Sequence, residues 1–245
     1  MITLGVDLAS QPKRTGTCRI RWDGKSAVVD SLSIGAKDSE LLRLFECADK
    51  IGIDAPFGWP AHFVRAIYDH MTSTIWPTVD ISQLRFRRTD QVVRESLGRW
   101  PLSVSSDRIA MLAMRAARLL AGTVATTGET IDRSGGGRFV ETYPAAALST
   151  WGFCSRRYKG TNGTEARARL VGELAKKTSS WLTLTEKDLC QCRASDDMLD
   201  ALVATLVARA AAIGCCEPIP FEDRGLAADE GWIALPRSES LARLV

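Results

Sequence analysis

Carboxylates are the side chains best placed for chemistry in this chain. Asp7 closes the first apolar run, Asp54 follows Ile51-Gly52-Ile53, and Glu141 follows Phe139-Val140. Asp197 and Asp200 stand at i and i+3, so they share one face of a helix. A carboxylate among apolar residues is costly to bury unless it is paired or metal-bound. Carboxylates that cluster repel one another, and their pKa values rise unless a cation neutralises them. Their hard oxygens suit Mg²⁺ or Mn²⁺. Two such ions ~4 Å apart can activate a water and stabilise a leaving alkoxide in phosphodiester hydrolysis.

Other chemistries have fewer residues to draw on. Only two histidines occur, His62 and His70, which disfavours a serine-hydrolase triad or a histidine-rich zinc site. No Gly-x-Ser-x-Gly elbow is present. Gly24-Lys25-Ser26 has the ending of a phosphate loop, but Arg19 stands where its first glycine belongs. Cys190/Cys192 and Cys215/Cys216 lack the spacing of zinc-binding pairs.

Each acid also has a structural explanation. Asp196 and Asp197 suit the first turn of a helix, where negative charge favours the macrodipole; Asp196 reads as solvated. Asp54 before Ala55-Pro56 could form a turn, and Glu141 could pair with an arginine. Asp200, deeper in an Ala/Leu-rich helix, is harder to explain that way. Asp7 is expected to be the central ligand.

The elements that must position these acids follow from periodicity. Ile2–Leu8 is a short β-rich run. Over Thr15–Trp22, Cys18, Ile20 and Trp22 alternate with Thr17, Arg19 and Arg21, the period of a half-buried strand. Asp23-Gly24 signals a type I′ hairpin, and Ala27–Leu32 returns, making a three-stranded antiparallel meander. Ser39–Ala48 reads as a helix and residues 51–54 as a buried strand, so a parallel crossover should set the strand of Asp7 beside that of Asp54, with the hairpin strands outside.

Residues 58–137 break this rhythm. They read as a mostly helical insertion, with a clear helix from Asp107 to Ala121 capped by Ser105-Ser106. This segment is expected to cover the acidic crevice with Trp59, Trp76 and Trp100. Arg138–Thr142 returns to strand, and Pro144 opens a short helix. Thr164–Lys177 and Ser195–Ile213 are helices, the latter with Ser195 as cap. Residues 230–233 are a candidate last strand. In open α/β sheets, strand ends beside a topological switch point face the ligand crevice. This is where Asp7, Asp54 and Glu141 fall.

Composition sets outer bounds. With 245 residues, 45% hydrophobic and 25% charged, a packed core is expected. The formal charge of +3 argues against a polybasic binding mode but permits a local basic groove. Arg85, Arg87 and Arg88 are candidate phosphate contacts, as are Arg156, Arg157 and Lys159, and a plain solvated surface explains these runs equally well. The N-terminus lacks the pattern of a signal peptide, no stretch reaches the ~20 apolar residues of a membrane span, and seven cysteines without a secretory signal fit reduced thiols. A cytoplasmic protein with no membrane partner is expected; the oligomeric state is not legible.

Five segments taken together are familiar: Gly5-Val6-Asp7-Leu8-Ala9, Ile53-Asp54-Ala55-Pro56, Arg88-Thr89-Asp90, Glu141-Thr142-Tyr143-Pro144, and residues 196–202. In this order they resemble the DUF429 family, described as predicted nucleases with a ribonuclease H-like fold, over nearly the whole chain. Asp197-x-x-Asp200-Ala201-Leu202 also resembles the final-helix motif of Holliday junction resolvases.

The resemblance implies one α/β domain over residues 1–245 with a ribonuclease H-like mixed sheet, the 58–137 insertion lying within it. It implies Asp7, Asp54 or Glu141, and Asp200 as metal ligands; relative to the resolvases, the two intermediate acids compete for one role. The first functional expectation is a divalent-metal-dependent nuclease acting on nucleic acid. Asp7, Asp54, Glu141 and Asp200 would be its catalytic ligands to two ions, Asp197 a substitute, and Arg85, Arg87, Arg88 and Lys159 its phosphate contacts. The alternatives are a nucleotide-binding phosphotransferase-like enzyme, with the Thr15-Gly16 hairpin as phosphate cradle, and a non-catalytic binding module.

Overall fold

A computed structural model describes residues 1–245. Its core is a mixed sheet. Strands β1 (Ile2–Asp7), β2 (Gly16–Trp22) and β3 (Ala27–Ile34) form the expected antiparallel meander. Helix α1 (Asp38–Glu46) crosses over to β4 (Lys50–Ile53), which pairs with β1 in parallel. Four helices follow: α2 (Ala61–Ser73), α3 (Ile81–Arg85), α4 (Arg88–Leu97) and α5 (Ala110–Thr127). The chain re-enters the sheet at β5 (Phe139–Glu141), parallel to β4. Then come α6 (Pro144–Thr150), α7 (Thr164–Thr178), the edge strand β6 (Leu182–Thr183), α8 (Glu186–Ala194), α9 (Asp196–Ala212) and α10 (Arg224–Glu230). The strand order is β5-β4-β1-β2-β3-β6, so the meander strands do lie outside β1.

Alternation along the strands splits the core in two. Leu4, Val6, Ile51, Ile53 and Phe139 point to one face, where Leu41 and Phe45 of α1 and Ala116, Leu119 and Leu120 of α5 meet them. Cys18, Ile20, Trp22 and Val140 point to the other, under α6, α7 and α9. Helix α9 lies across β1, β2 and β4 and is buried nearly all round. This explains why its sequence is apolar throughout instead of striped.

Several local expectations are corrected. The β2–β3 connection is a four-residue loop, Asp23–Ser26, in which only Gly24 has positive φ (97°). The Asp23 carboxylate caps it, accepting from Ser26 N at 2.9 Å. Helix α5 begins three residues later than expected and lacks a serine cap, because Ile109 stands at its N-cap; Ser105 donates to the Leu84 carbonyl at 2.7 Å. Past Glu230 there is no strand; Ile233 alone bridges to Glu141. Ser195 does cap α9, accepting from Met198 N at 3.3 Å. All seven cysteines are free thiols, and no helix is long and apolar enough to cross a membrane.

Candidate functional site

Two strand ends and one helix bring three acids together. The Asp54 amide donates to the Val6 carbonyl at 2.8 Å, which continues the β1–β4 ladder and sets Asp54 beside Asp7. In that register Gly5 opposes Gly52. Both lie on the face away from Leu4, Val6, Ile51 and Ile53, and Asp7 continues that face two residues on. The two glycines let α9 rest on bare backbone. A Cβ at Gly5 would lie 2.1 Å from the Ala201 carbonyl oxygen, and one at Gly52 would lie 2.5 Å from that of Ala204. Thr205 fastens the contact, its hydroxyl donating to the Cys18 carbonyl at 3.0 Å. Asp200, 1% exposed, therefore comes down beside the strand ends. Carboxylate oxygens of Asp7, Asp54 and Asp200 all lie within 4.8 Å of one another.

The electrostatics follow from burial and proximity. Burial, then the charges of Asp200 and Asp54, hold Asp7 well above the usual carboxylate range. Burial pushes Asp54 up to about 7, with Lys159 opposing and Asp200 and Glu141 adding to it. Burial also raises Asp200, and Lys159 and Tyr158 hold it back. Tyr158 donates its hydroxyl to one Asp200 oxygen at 2.7 Å, and the Lys159 ammonium lies 2.6 Å from the other. No N–H or alcohol hydroxyl of the chain donates to Asp7 or Asp54, whose carboxyls lie within hydrogen-bonding reach of each other. The Thr142 hydroxyl, buried in the wall of the adjoining cavity, likewise has no partner. Two donor-free carboxylates beside a third make a hard-oxygen set that fits a small divalent cation.

Glu141 does not join this set. It pairs with Ile53 across β4–β5, which puts its side chain on the face opposite to Asp7. There Arg87 grips it with two bonds, 2.7 and 2.8 Å, and the Phe57 amide donates at 2.9 Å. Burial pushes the Glu141 carboxyl up, and Arg87 and the Phe57 amide draw it down. Of the two readings open for Glu141, the structure takes the arginine pair. It also moves Arg87 off the surface. The Arg87 side chain is 3% exposed and is held by Asp90 as well, at 2.9 Å.

The remaining candidates have partners of their own. Asp197 lies outside the triad in a two-bond pair with exposed Arg14, at 2.8 and 3.2 Å. Asp196 is not simply solvated, since it accepts from Gly160 N at 3.3 Å. Arg88 is tied to Asp223 at 2.9 Å and to Glu95 at 3.2 Å. Arg85 is exposed, bonded to Ser106 at 3.2 Å and stacked over Phe86. Lys159, expected at phosphate, is on Asp200 instead. Thr15 and Gly16 offer no open cradle: the Thr15 hydroxyl accepts from Arg115 at 2.6 Å, and a Cβ at Gly16 would meet the Asp197 carbonyl oxygen at 2.3 Å.

A cavity of about 480 Å³ opens beside Asp7 and Asp54. Arg99, Arg157 and Lys159 line it as cations, and Pro101, Leu102, Ile109 and Leu112 of the helical segment form an apolar wall. The segment thus covers the site as expected, but with aliphatic residues. Trp100 stacks on Phe86 at 4.0 Å and Trp76 packs edge-on against His70. Trp59 lines a larger cavity of about 1040 Å³ between α2 and α5 that contains none of the three acids. Tyr143, Tyr158 and Arg99 also line the cavity, and no periodic signal in the sequence marks them as site residues.

The chain matches over residues 5–224 a family described as "Protein of unknown function (DUF429)". It matches no curated protein and no solved structure. The span takes in most of its 245 residues, and the chain belongs to this family.

Proposed function

We propose that this member of the DUF429 family is a divalent-metal-dependent phosphodiesterase of ribonuclease H-like architecture that hydrolyses nucleic acid. The observation that carries the reading is the convergence of Asp7, Asp54 and Asp200 within 4.8 Å at the carboxyl ends of two parallel strands. Asp7 and Asp54, free of donors, would hold Mg²⁺ or Mn²⁺, with Asp200 as the third acid. Such an ion supplies Lewis-acid stabilisation of charge developing on a phosphoryl group. Arg157, exposed at the cavity mouth, is placed to bind phosphate oxygens. Arg87 and Glu141 hold the wall of the site and take no part in the chemistry.

The test is cleavage of single- and double-stranded DNA and RNA with Mg²⁺ or Mn²⁺. Asp7→Asn keeps the shape and removes the charge. It should lower turnover roughly a hundredfold or more, the equivalent of several kcal/mol of lost charge stabilisation. Absence of metal-dependent cleavage on all four polymers would sink the nuclease reading.

The cavity favours one alternative. At about 480 Å³ it falls within the roughly 300–1,000 Å³ typical of small-molecule sites, which suits a nucleotide-handling enzyme. Thermal stabilisation by mononucleotides, without polymer cleavage, would select it.

A further inference from the structure

We propose that Lys159 is a built-in cation of the acidic site, and that the site accordingly takes one divalent ion, on Asp7 and Asp54, instead of two. The inference rests on the metal-dependent reading above and specifies it. Both Asp200 oxygens are occupied: Tyr158 donates to one at 2.7 Å and the Lys159 ammonium lies 2.6 Å from the other. Asp7 and Asp54 have no such donors. The acid set is therefore divided into one carboxylate satisfied from within the chain and two left open. Three carboxylates and one ammonium sum to a charge of −2 when all are ionised, which a single divalent ion neutralises. A second ion would have to displace the ammonium from Asp200 or sit a few ångströms from it, where like charges repel, although the half-exposed Lys159 side chain leaves water to screen part of that repulsion.

Lys159 is held by its backbone as well as by its charge. Arg167, 3% exposed, donates to the carbonyls of Tyr158 at 2.8 Å and Gly160 at 3.1 Å, so both neighbours of Lys159 are pinned to α7. Gly160 N is fixed in turn by Asp196 of α9. Gly163 is pressed against the same turn, where a Cβ would come within 2.4 Å of the Tyr158 carbonyl carbon. Arg157, just before, has φ of 56°, a left-handed conformation that a non-glycine residue adopts at a cost. The backbone on either side of Lys159 is thus fixed, and its half-exposed side chain reaches from there to Asp200.

The experiment is a Mn²⁺ titration read by electron paramagnetic resonance and calorimetry, on wild type, Lys159→Gln, Lys159→Arg and Asp7→Asn. One ion per chain is expected for the wild type and for Lys159→Arg. Lys159→Gln should bind a second ion, or bind the first roughly tenfold more tightly or better, because a like charge has been removed from its surroundings. Two ions in the wild type, or a Lys159→Gln titration identical to wild type, would overturn the assignment of Lys159 and leave the metal reading standing. No Mn²⁺ bound by the wild type at millimolar concentration, or binding unaffected by Asp7→Asn, would overturn the metal reading itself. The wild-type stoichiometry decides the question even if Lys159→Gln fails to fold.

Discussion

Asp54 shows at the residue scale what the site costs the protein. Its carboxyl is pushed up to about 7 by burial, and Asp7 and Asp200 are raised as well. A carboxyl with a raised folded-state pKa binds more protons folded than unfolded, so its contribution to stability is full below the unfolded value and is lost as pH rises through the folded one. The metal-free protein should therefore lose stability between about pH 4 and pH 7, by up to about 4 kcal/mol if Asp54 acted alone. Melting curves across that range check this, and saturating Mg²⁺ should flatten the slope by binding the ionised form. A stability that rises with pH through this window would contradict the shared burial of the acids. Asp7 and Asp54 were legible in the sequence because each closes an apolar strand. Glu141 was not resolvable in the same way, because its facing depends on the β4–β5 register, which pairs it with Ile53. The choice between Asp197 and Asp200 turned on Arg14, a partner 183 residues away. Lys159 and Tyr158 sit in a loop whose closure onto α9 no local pattern announces.

At the scale of elements, the site depends on how closely α9 lies on the sheet. The meander, the α1 crossover, α6, α7 and α9 were legible because period and caps agreed with tertiary need. The short helices α3 and α4 and the two-residue strand β6 were not, being fixed by long-range pairs such as Arg87–Glu141 instead of local propensity. Gly52 tests the contact. Its missing Cβ leaves room for the Ala204 carbonyl and the Thr142 methyl, at 2.5 and 2.9 Å from where a Cβ would stand. Gly52→Ala must push α9 away and should cost about 1–3 kcal/mol or more by overpacking. Because Asp200 rides on α9, Mn²⁺ affinity should fall along with the melting temperature. Gly172, exposed on α7 with nothing within 4 Å of its Cβ position, is the control. Gly172→Ala should stabilise by roughly 0.5–1 kcal/mol through helix entropy and leave metal binding alone. Equal effects from the two substitutions would rule out a special role for the close approach.

At the scale of the whole molecule, the helical segment is joined to the sheet and to the C-terminal residues by a web of charged groups. Arg87 ties α4 to β5 through Glu141, and Arg88 ties it to Asp223 beside α10. Glu230, 4% exposed at the end of α10, receives the Ala61 amide at 2.7 Å on one oxygen and the Arg88 amide at 2.7 Å on the other. Those two amides belong to the first turns of α2 and α4, whose N–H groups have no partner within their own helices. One carboxylate from residue 230, beyond the span matched to the family, thus caps two of the four helices of the segment that walls the acidic cavity. Glu230→Gln nearly preserves shape but points an amide NH₂ at one of the two N–H groups, leaving a buried donor unsatisfied, at about 1–3 kcal/mol. For a chain of this length that corresponds to a melting temperature lower by roughly 2–12 °C. The loss should be concentrated in the segment. Hydrogen exchange should quicken in α2 and α4 while β1, β4 and α9 keep their protection. Mn²⁺ binding below the melting temperature should be unchanged, because Asp7, Asp54 and Asp200 rest on the sheet and α9. Uniform loss of protection across the molecule would mean that the segment and the sheet unfold as one unit, with Glu230 serving the whole fold.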